Sequence, residues 1–204
     1  MHAAALLAAT ALLAFLMVGS TVGGHVSTGL DGTVQSWTLA HQSTTASAVF
    51  HWITILGGIT GMRVVALLGA GYLWYRGRGR IGAALLVVPI VADIFFHVAK
   101  RVHARPRPLG LGDGVDSSYS FPSGHATVSA AVCGAFSYVL FRDGLIGREV
   151  ATAIAVLPPL LVGISRVYLN VHWATDVVGG WCAGLFVAAA WTTAYAYVRG
   201  RLVA

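Results

Sequence analysis

The chain has 204 residues, of which 57% are hydrophobic and only 10% are charged, and its mean hydropathy is +0.76. A soluble domain usually carries about 25% charged residues, so the composition excludes an ordinary soluble protein and predicts one integral membrane domain over residues 1–204. The net charge of +6 does not indicate nucleic-acid binding, because the cations lie between apolar runs and form no basic stripe.

The first apolar run, residues 3–24, is uncharged and long enough to cross a bilayer. A cleaved signal peptide would begin with positively charged residues, and only His2 stands in that position. We therefore predict a retained first span over residues 3–23, with a cleaved signal peptide as the alternative.

The second predicted span covers residues 58–75 and is interrupted by Arg63. It fits a bilayer if Arg63 lies near the lipid headgroups and extends its charge towards water. The alternative is one long tilted helix that begins near Ala46. Between the first and second predicted spans, polar residues are mixed with two tryptophans. This mixture predicts short helices at the membrane interface, one of them capped by Asp31.

The remaining apolar runs lie at residues 81–99, 124–141, 146–164 and 175–198. Each has roughly the 20 residues that a membrane-crossing helix needs. The sequence therefore predicts an all-α fold: an integral membrane bundle of six transmembrane helices, with short interfacial helices between spans one and two.

The arginines predict the orientation of this bundle. Six spans place three groups of arginines on one side: Arg76, Arg78 and Arg80; Arg142 and Arg148; and Arg199 and Arg201. The positive-inside rule makes that side, and both termini, cytoplasmic in a plasma membrane. The opposite side also carries cations, namely Lys100, Arg101, Arg105, Arg107 and Arg166. These exceptions to the rule are the first indication of function.

Three polar motifs fall on this extracytoplasmic side. Span three ends in "KRVHARPRP", span four opens with "FPSGHA", and "SRVYLNVHWATD" joins span five to span six. The first two motifs are separated only by a loop, and the last two by a pair of spans. The topology alone therefore gathers the three motifs, which occupy residues 100–176, on one face.

These motifs resemble the three signatures of the type 2 phosphatidic acid phosphatase superfamily, and the chain is most similar to its small bacterial members. The matching positions are Lys100 and Arg107-Pro108, then Pro122-Ser123-Gly124-His125, then Ser165-Arg166, His172 and Asp176. The resemblance implies that His172 is the nucleophile and forms a phosphohistidine, and that His125 is the general acid. It also implies that no metal or other cofactor is needed.

The residue chemistry agrees with a site for phosphate. Lys100, Arg107 and Arg166 supply three cations for a group that carries about two negative charges. We expect the backbone N–H groups of Ser123, Gly124 and His125 to point outward at a helix N-terminus, where anions bind. Ser165 is expected to hold phosphate or Arg166.

The two histidines can act in succession. A neutral imidazole at His172 can attack phosphorus. Asp176 lies one helical turn after His172 and can hold one ring nitrogen, fixing the tautomer. His125 can protonate the leaving oxygen and later activate water.

The sequence therefore predicts a membrane lipid phosphatase whose partners are a lipid phosphate or diphosphate and the membrane lipids. Candidate substrates are undecaprenyl diphosphate, phosphatidylglycerol phosphate and phosphatidic acid. Two other functions remain open: a vanadate-dependent haloperoxidase, and a carrier that binds lipid phosphates without hydrolysis. A metal site built from the two histidines and Asp176 is disfavoured, because three nearby cations would repel a divalent ion.

Several polar residues near the motifs allow two interpretations of their role. Asp93 and His97 lie one turn apart and either orient Lys100 or Arg101 or form a satisfied buried pair, which we favour. His103 and Arg105 are predicted to lie in a solvated loop, with contact to the substrate as the alternative. The stretch "LGLGDGVDSSYS" is either a mobile lid or an ordinary flexible loop.

Overall fold

The computed structural model describes residues 2–22, 28–108 and 119–203, with side chains up to residue 198. Within these ranges the chain forms eight α-helices and no strand. They are α1 His2–Val22, α2 Gly29–Ala40, α3 Thr44–Gly57, α4 Ile59–Tyr75, α5 Gly79–His103, α6 Gly124–Arg142, α7 Arg148–Tyr168 and α8 Ala174–Val203.

Five of these helices, α1, α5, α6, α7 and α8, are long and apolar enough to cross a membrane. A sixth span is available if α3 and α4 count as one, since the two helices meet at a bend of 43°. The prediction of an all-α bundle with six membrane-crossing elements is therefore confirmed.

The second span differs from both versions predicted for it. It begins at Thr44, far earlier than residue 58, and it is not one continuous helix because it breaks at Gly58. A side chain at Gly58 would have its Cβ 2.4 Å from the carbonyl oxygen of Thr54 and 2.8 Å from the ring of His125. Only glycine fits this corner.

The short interfacial element is α2, and its start corrects the predicted cap. Thr28, not Asp31, is the N-cap residue, and Asp31 is the third helical residue of a capping box. The hydroxyl of Thr28 accepts from the N–H of Asp31, and the carboxylate of Asp31 accepts from the N–H of Thr28. The carboxylate has further partners in the bundle, described below.

The core of the bundle surrounds α6, which packs against α7 and α8, while α1 packs along α8. Close approach of α6 and α8 depends on small residues: a Cβ at Gly180 would lie 2.7 Å from the carbonyl oxygen of Ser123. This contact brings the starts of α6 and α8 together, which places the second motif beside the third.

Candidate active site

A cavity of about 550 Å³ lies where the C-terminal turns of α5 and α7 meet the start of α6 and the loop before α8. Six of the nine predicted site residues line it: Lys100, Arg107, Gly124, His125, Arg166 and His172. The other three, Ser123, Ser165 and Asp176, are fully buried and are not part of its lining. The structure therefore brings all three motifs to one place.

The three motif cations reach the cavity from different elements. Lys100 and Arg166 lie in the last turns of α5 and α7, inside the helices rather than after them as the predicted spans had placed them. Lys100 is buried, and its ammonium group donates to the carbonyl of Tyr119. Arg107 donates to the carbonyl of Val171 at 2.7 Å. Their combined positive field suits a dianionic group.

His172 is held in the turn between α7 and α8, which Asn170 makes possible by adopting a left-handed conformation with φ of 55°. Nε2 of His172 lies 3.2 Å from a guanidinium nitrogen of Arg107. Arginine can only donate, so Nε2 is the unprotonated nitrogen of the ring. The opposite nitrogen, Nδ1, lies 3.4 Å from the carboxylate of Asp176.

The surroundings of His172 keep its ring neutral. Burial lowers the pKa of His172 to about 4, the nearby guanidinium groups of Arg107 and Arg166 lower it as well, and the carboxylate of Asp176 offsets only part of this effect. At neutral pH the ring therefore presents an unprotonated Nε2, which is the form that can attack an electrophilic phosphorus.

Asp176 is completely buried, and four donors surround its carboxylate. It accepts from Arg105 at 2.6 Å, from the N–H of Trp173 at 2.9 Å, from the hydroxyl of Ser120 and from His172. These bonds fix the carboxylate and, through it, the orientation of the His172 ring.

The prediction that Arg105 lies in a solvated loop is wrong. Ala104 ends α5 in a left-handed conformation, and the next residue, Arg105, has a side chain with 0% exposure. Its guanidinium group bridges two buried carboxylates, bonding Asp31 and Asp176 at 2.6 Å each. It also lies 5.5 Å from the ring centre of Trp173. The physical reason is that the two buried carboxylates would be strongly destabilising without a cation between them.

Asp31, on α2, is therefore a support of the site. Burial alone would raise the pKa of Asp31, but the backbone N–H of Thr175 and the guanidinium group of Arg105 outweigh it and hold the pKa below its usual value. Sequence reasoning missed this role. One feature of the sequence pointed to it: Asp31 is the first acidic residue of the chain, and the next one is Asp93.

His103 is likewise not in a solvated loop. It lies in the last turn of α5, and its ring packs 4.7 Å from the ring of Phe121 and 6.1 Å from that of Phe15. Nδ1 of His103 is 2.9 Å from the carbonyl of Ala99. This histidine belongs to the packing between α1 and α5 and does not line the cavity.

The start of α6 offers fewer free amides than expected. The N–H of Ser123 donates to the carbonyl of Asp176 at 2.9 Å, so it is not available to an anion. The amides of Gly124 and His125 follow in the first turn, where no side chain caps the helix. The buried hydroxyl of Ser123 has no partner among the described residues, although Ser123 itself lies outside the cavity lining.

Ser165 contributes from behind the cavity wall. Its hydroxyl donates to the carbonyl of Val162 at 2.6 Å and lies 2.5 Å from the hydroxyl of Thr54. Thr54 itself lines the cavity. Ser165 thus joins α7 to α3 beneath the site, a contact between distant segments that no local motif indicates.

Asp93 follows neither predicted reading. Its carboxylate pairs with Arg63, while Nδ1 of His97 lies 2.8 Å from its backbone carbonyl. Arg63 is thus paired with a carboxylate on α5 while its side chain stays about half exposed, and its extension towards the headgroups stays a prediction. Both Arg63 and His97 line the cavity. The predicted lid lies almost wholly in residues 109–118, outside the described residues.

Comparison with known proteins matches the part of the chain that carries the three motifs. A family model described as "PAP2 superfamily" matches residues 81–199. Phosphatidylglycerophosphatase B of Bacillus subtilis (strain 168) is 30% identical over 179 residues, which cover 86% of this chain and 88% of that protein. An undecaprenyl-diphosphatase of Sulfolobus acidocaldarius is 28% identical over 153 residues, covering 68% of this chain and 70% of that one.

The fold is also similar to a solved structure. It is a crystal structure of a transmembrane PAP2 type phosphatidylglycerolphosphate phosphatase from Bacillus subtilis, which aligns with a TM-score of 0.81 at 27% sequence identity. The alignment covers 94% of this chain and 96% of that chain. The likeness therefore extends over the whole bundle and not only over the three motifs.

Proposed function

We propose that this chain, which belongs to the PAP2 superfamily, is a membrane lipid phosphatase that hydrolyses a phosphomonoester or diphosphate through a phosphohistidine intermediate. One observation carries the proposal. A neutral histidine, His172, presents an unprotonated Nε2 to a cavity that three cations share. Phosphoryl transfer depends mainly on positioning and on charge stabilisation, and this arrangement supplies both.

In the first step the cavity binds the terminal phosphoryl group. Lys100, Arg107 and Arg166 neutralise its oxygens, and the amides of Gly124 and His125 add two donors. We assign the hydroxyl of Ser123 as a further donor to these oxygens: it is buried just behind the cavity lining and has no partner among the described residues. Ser165 supports this wall through Thr54.

Nε2 of His172 then attacks phosphorus, forming a P–N bond while the bond from phosphorus to the leaving oxygen breaks. His125 gives a proton to that oxygen. The ring of His172 gains positive charge, and Asp176 stabilises it by accepting the hydrogen bond from Nδ1.

In the second step His125, now lacking that proton, takes one from a water molecule. The water oxygen attacks phosphorus, the P–N bond breaks, and inorganic phosphate leaves the cavity. His172 returns to its neutral form and His125 is protonated again, so the cycle closes without a cofactor.

The lipid tail stays in the bilayer during both steps. Candidate substrates are undecaprenyl diphosphate, phosphatidylglycerol phosphate and phosphatidic acid, and the names of the relatives support the first two. Ile55, Ile59 and Phe96 are apolar members of the cavity lining, and we propose that the tail enters along them.

The chain is an integral membrane protein, and we place it in the plasma membrane with the site on the extracytoplasmic side and both termini in the cytoplasm. The arginines of the short loops support this orientation. Those at 199 and 201 fall where the structure describes no side chains. We regard residues 1–204 as one phosphatase domain.

The test is a panel of lipid substrates incubated with the purified protein in detergent, with phosphate release as the readout. Wild-type protein should release phosphate, and His172→Ala should abolish the activity while remaining folded by circular dichroism. Unchanged activity in that variant would contradict the nucleophile assignment. Binding of the lipids without any hydrolysis would instead favour the carrier, and halide oxidation by the vanadate-loaded protein would favour the haloperoxidase.

A further inference from the structure

Arg63 is a cation that the three motifs do not account for. It lies on α4, within the bent span, where a charge is costly unless it has a function or a partner. Its partner is Asp93 on α5, and its guanidinium group lines the same cavity as His172. The catalytic scheme above leaves this cation unused.

The position of the pair along α5 shows which part of the cavity Arg63 serves. Asp93 precedes Lys100 by two helical turns, which is about 10 Å along the helix axis. Lys100 is near the end of α5, whereas Asp93 lies further into the span. Arg63, paired with Asp93, therefore lies deeper in the bundle than the end of α5 that carries Lys100, and in the proposed reaction the leaving group and its tail extend in that direction.

The side chains around Arg63 also suit a polar group. Thr60, one turn earlier on α4, and His97, one turn after Asp93, both line the cavity and are exposed to it. Asp93 holds Arg63 through one guanidinium nitrogen, and a guanidinium group carries five N–H donors, so others remain to bind a ligand. The pair thus holds the cation at the cavity wall and leaves it accessible, since the Arg63 side chain is about half exposed.

The balance of charge indicates what that ligand is. Three cations already match a terminal phosphoryl group of about two negative charges. A lipid with one phosphate gives Arg63 nothing to neutralise, whereas a lipid with two phosphates places the inner one between the reacting phosphorus and the tail. Arginine is well suited to bind phosphate through two parallel N–H donors.

We propose that Arg63, held by Asp93, binds a second phosphate group on the leaving-group side, so that the enzyme prefers lipids with two phosphates over lipids with one. This inference rests on the proposed phosphatase function. Two classes of lipid supply that chemistry, namely polyprenyl diphosphates and phosphatidylglycerol phosphate. Arg63 is then a residue that determines specificity, while His172 and its neighbours perform the reaction.

The experiment compares a polyprenyl diphosphate with the polyprenyl monophosphate of the same tail, and phosphatidylglycerol phosphate with phosphatidic acid. Arg63→Gln should lower kcat/KM for the two-phosphate lipids by about tenfold or more, since a charge-assisted contact is lost. It should leave the one-phosphate lipids within about twofold. If Arg63→Gln lowers kcat/KM more for the polyprenyl diphosphate than for phosphatidylglycerol phosphate, Arg63 binds directly linked phosphates better than separated ones.

Two further variants separate binding from structure. Arg63→Gln with Asp93→Asn removes both charges, so a purely structural role predicts recovery on every lipid, whereas a phosphate site predicts that the two-phosphate lipids stay impaired. Arg101→Gln is the matched control, because Arg101 is exposed at the end of α5 and does not line the cavity. It should change no lipid selectively.

An equal loss on both lipids of a pair, or no loss on either, would overturn the inference. Failure of the phosphatase function itself has a different signature, because the wild-type protein would then hydrolyse none of the four lipids. Binding to the His172→Ala variant still tests Arg63 in that case. The two-phosphate lipids should bind more tightly than their one-phosphate counterparts, and Arg63→Gln should remove the difference; equal binding without the substitution would contradict the inference.

Discussion

Replacement of Arg105 by glutamine is the substitution for which the structure predicts the largest loss of stability. The side chains of Arg105, Asp31 and Asp176 all have 0% exposure, and the guanidinium group lies 2.6 Å from each carboxylate. Removing one member of a buried ion pair costs about 3–5 kcal/mol, because the other charge stays buried. Here two carboxylates lose their cation, so we expect at least the lower end of that range.

The assay is equilibrium unfolding of the purified protein in mixed detergent micelles, followed by circular dichroism. Adding Asp31→Asn to Arg105→Gln removes one of the two unpaired buried carboxylates. The double variant should therefore regain at least about 1 kcal/mol of the free energy of unfolding relative to Arg105→Gln. The exposed Arg101→Gln serves as control and should stay within about 0.5 kcal/mol of wild type.

Two results would refute this reasoning. One is a destabilisation by Arg105→Gln of less than about 1 kcal/mol, which is the worth of an ordinary surface pair. The other is the absence of any recovery when Asp31→Asn is added. Either result would mean that the three groups are not a closed ionic cluster, and that Asp31 does not support Asp176.

The remaining predictions concern the site and its orientation. Gly58→Ala should lower kcat by about tenfold or more, since its Cβ would displace the His125 ring, whereas Gly71→Ala, with open space around it, should not. The pKa of His172 is about 4 in the folded protein and 6.5 in the unfolded chain, so the unfolded chain takes up the proton at a higher pH. The free energy of unfolding should therefore fall as the pH drops from 6.5 to 4. The fall should be smaller in His172→Asn. Vanadate should inhibit competitively and EDTA should not; strong sensitivity to the chelator would contradict metal-independent chemistry. In a protein without its native cysteines, Val102→Cys, which is exposed at the end of α5, should react with an impermeant thiol reagent added outside intact cells. Labelling only after lysis would invert the orientation.

The fold could be predicted because lipid imposes a simple rule on the sequence. Each crossing helix needs a long apolar run, and such runs are visible without knowledge of the packing. The bent second span was not predictable in the same way. At its break Gly58 lies against the ring of His125, and only the folded bundle brings these two residues together.

The residues of the site that belong to the three motifs could be predicted from the sequence. Six motif residues line one cavity because the number of spans places three helix ends on one side. The support of Asp176 by Arg105 and Asp31 could not be read, since α2 lies far from both in the chain. A charged residue in a short loop is usually solvated, and that general tendency misled the assignment of Arg105.

The location of Arg63 illustrates the same limit. In the sequence this arginine interrupts an apolar span, which predicts only that its charge extends towards the headgroups. The partner, Asp93, lies thirty residues later on the neighbouring helix. Whether two helices form an ion pair depends on how each helix is rotated about its own axis. Hydropathy alone does not determine that rotation.

The central claim is that His172 forms a covalent bond to phosphorus, and rapid quenching tests it most directly. A polyprenyl diphosphate labelled in its terminal phosphate is mixed with the His125→Ala variant, in which hydrolysis of the intermediate should be slow. Quenching in base preserves phosphohistidine, and peptide mapping locates the label. The account predicts label on His172 and none when His172→Ala is added. Label on another residue, or full turnover by the His172→Ala protein, would contradict it.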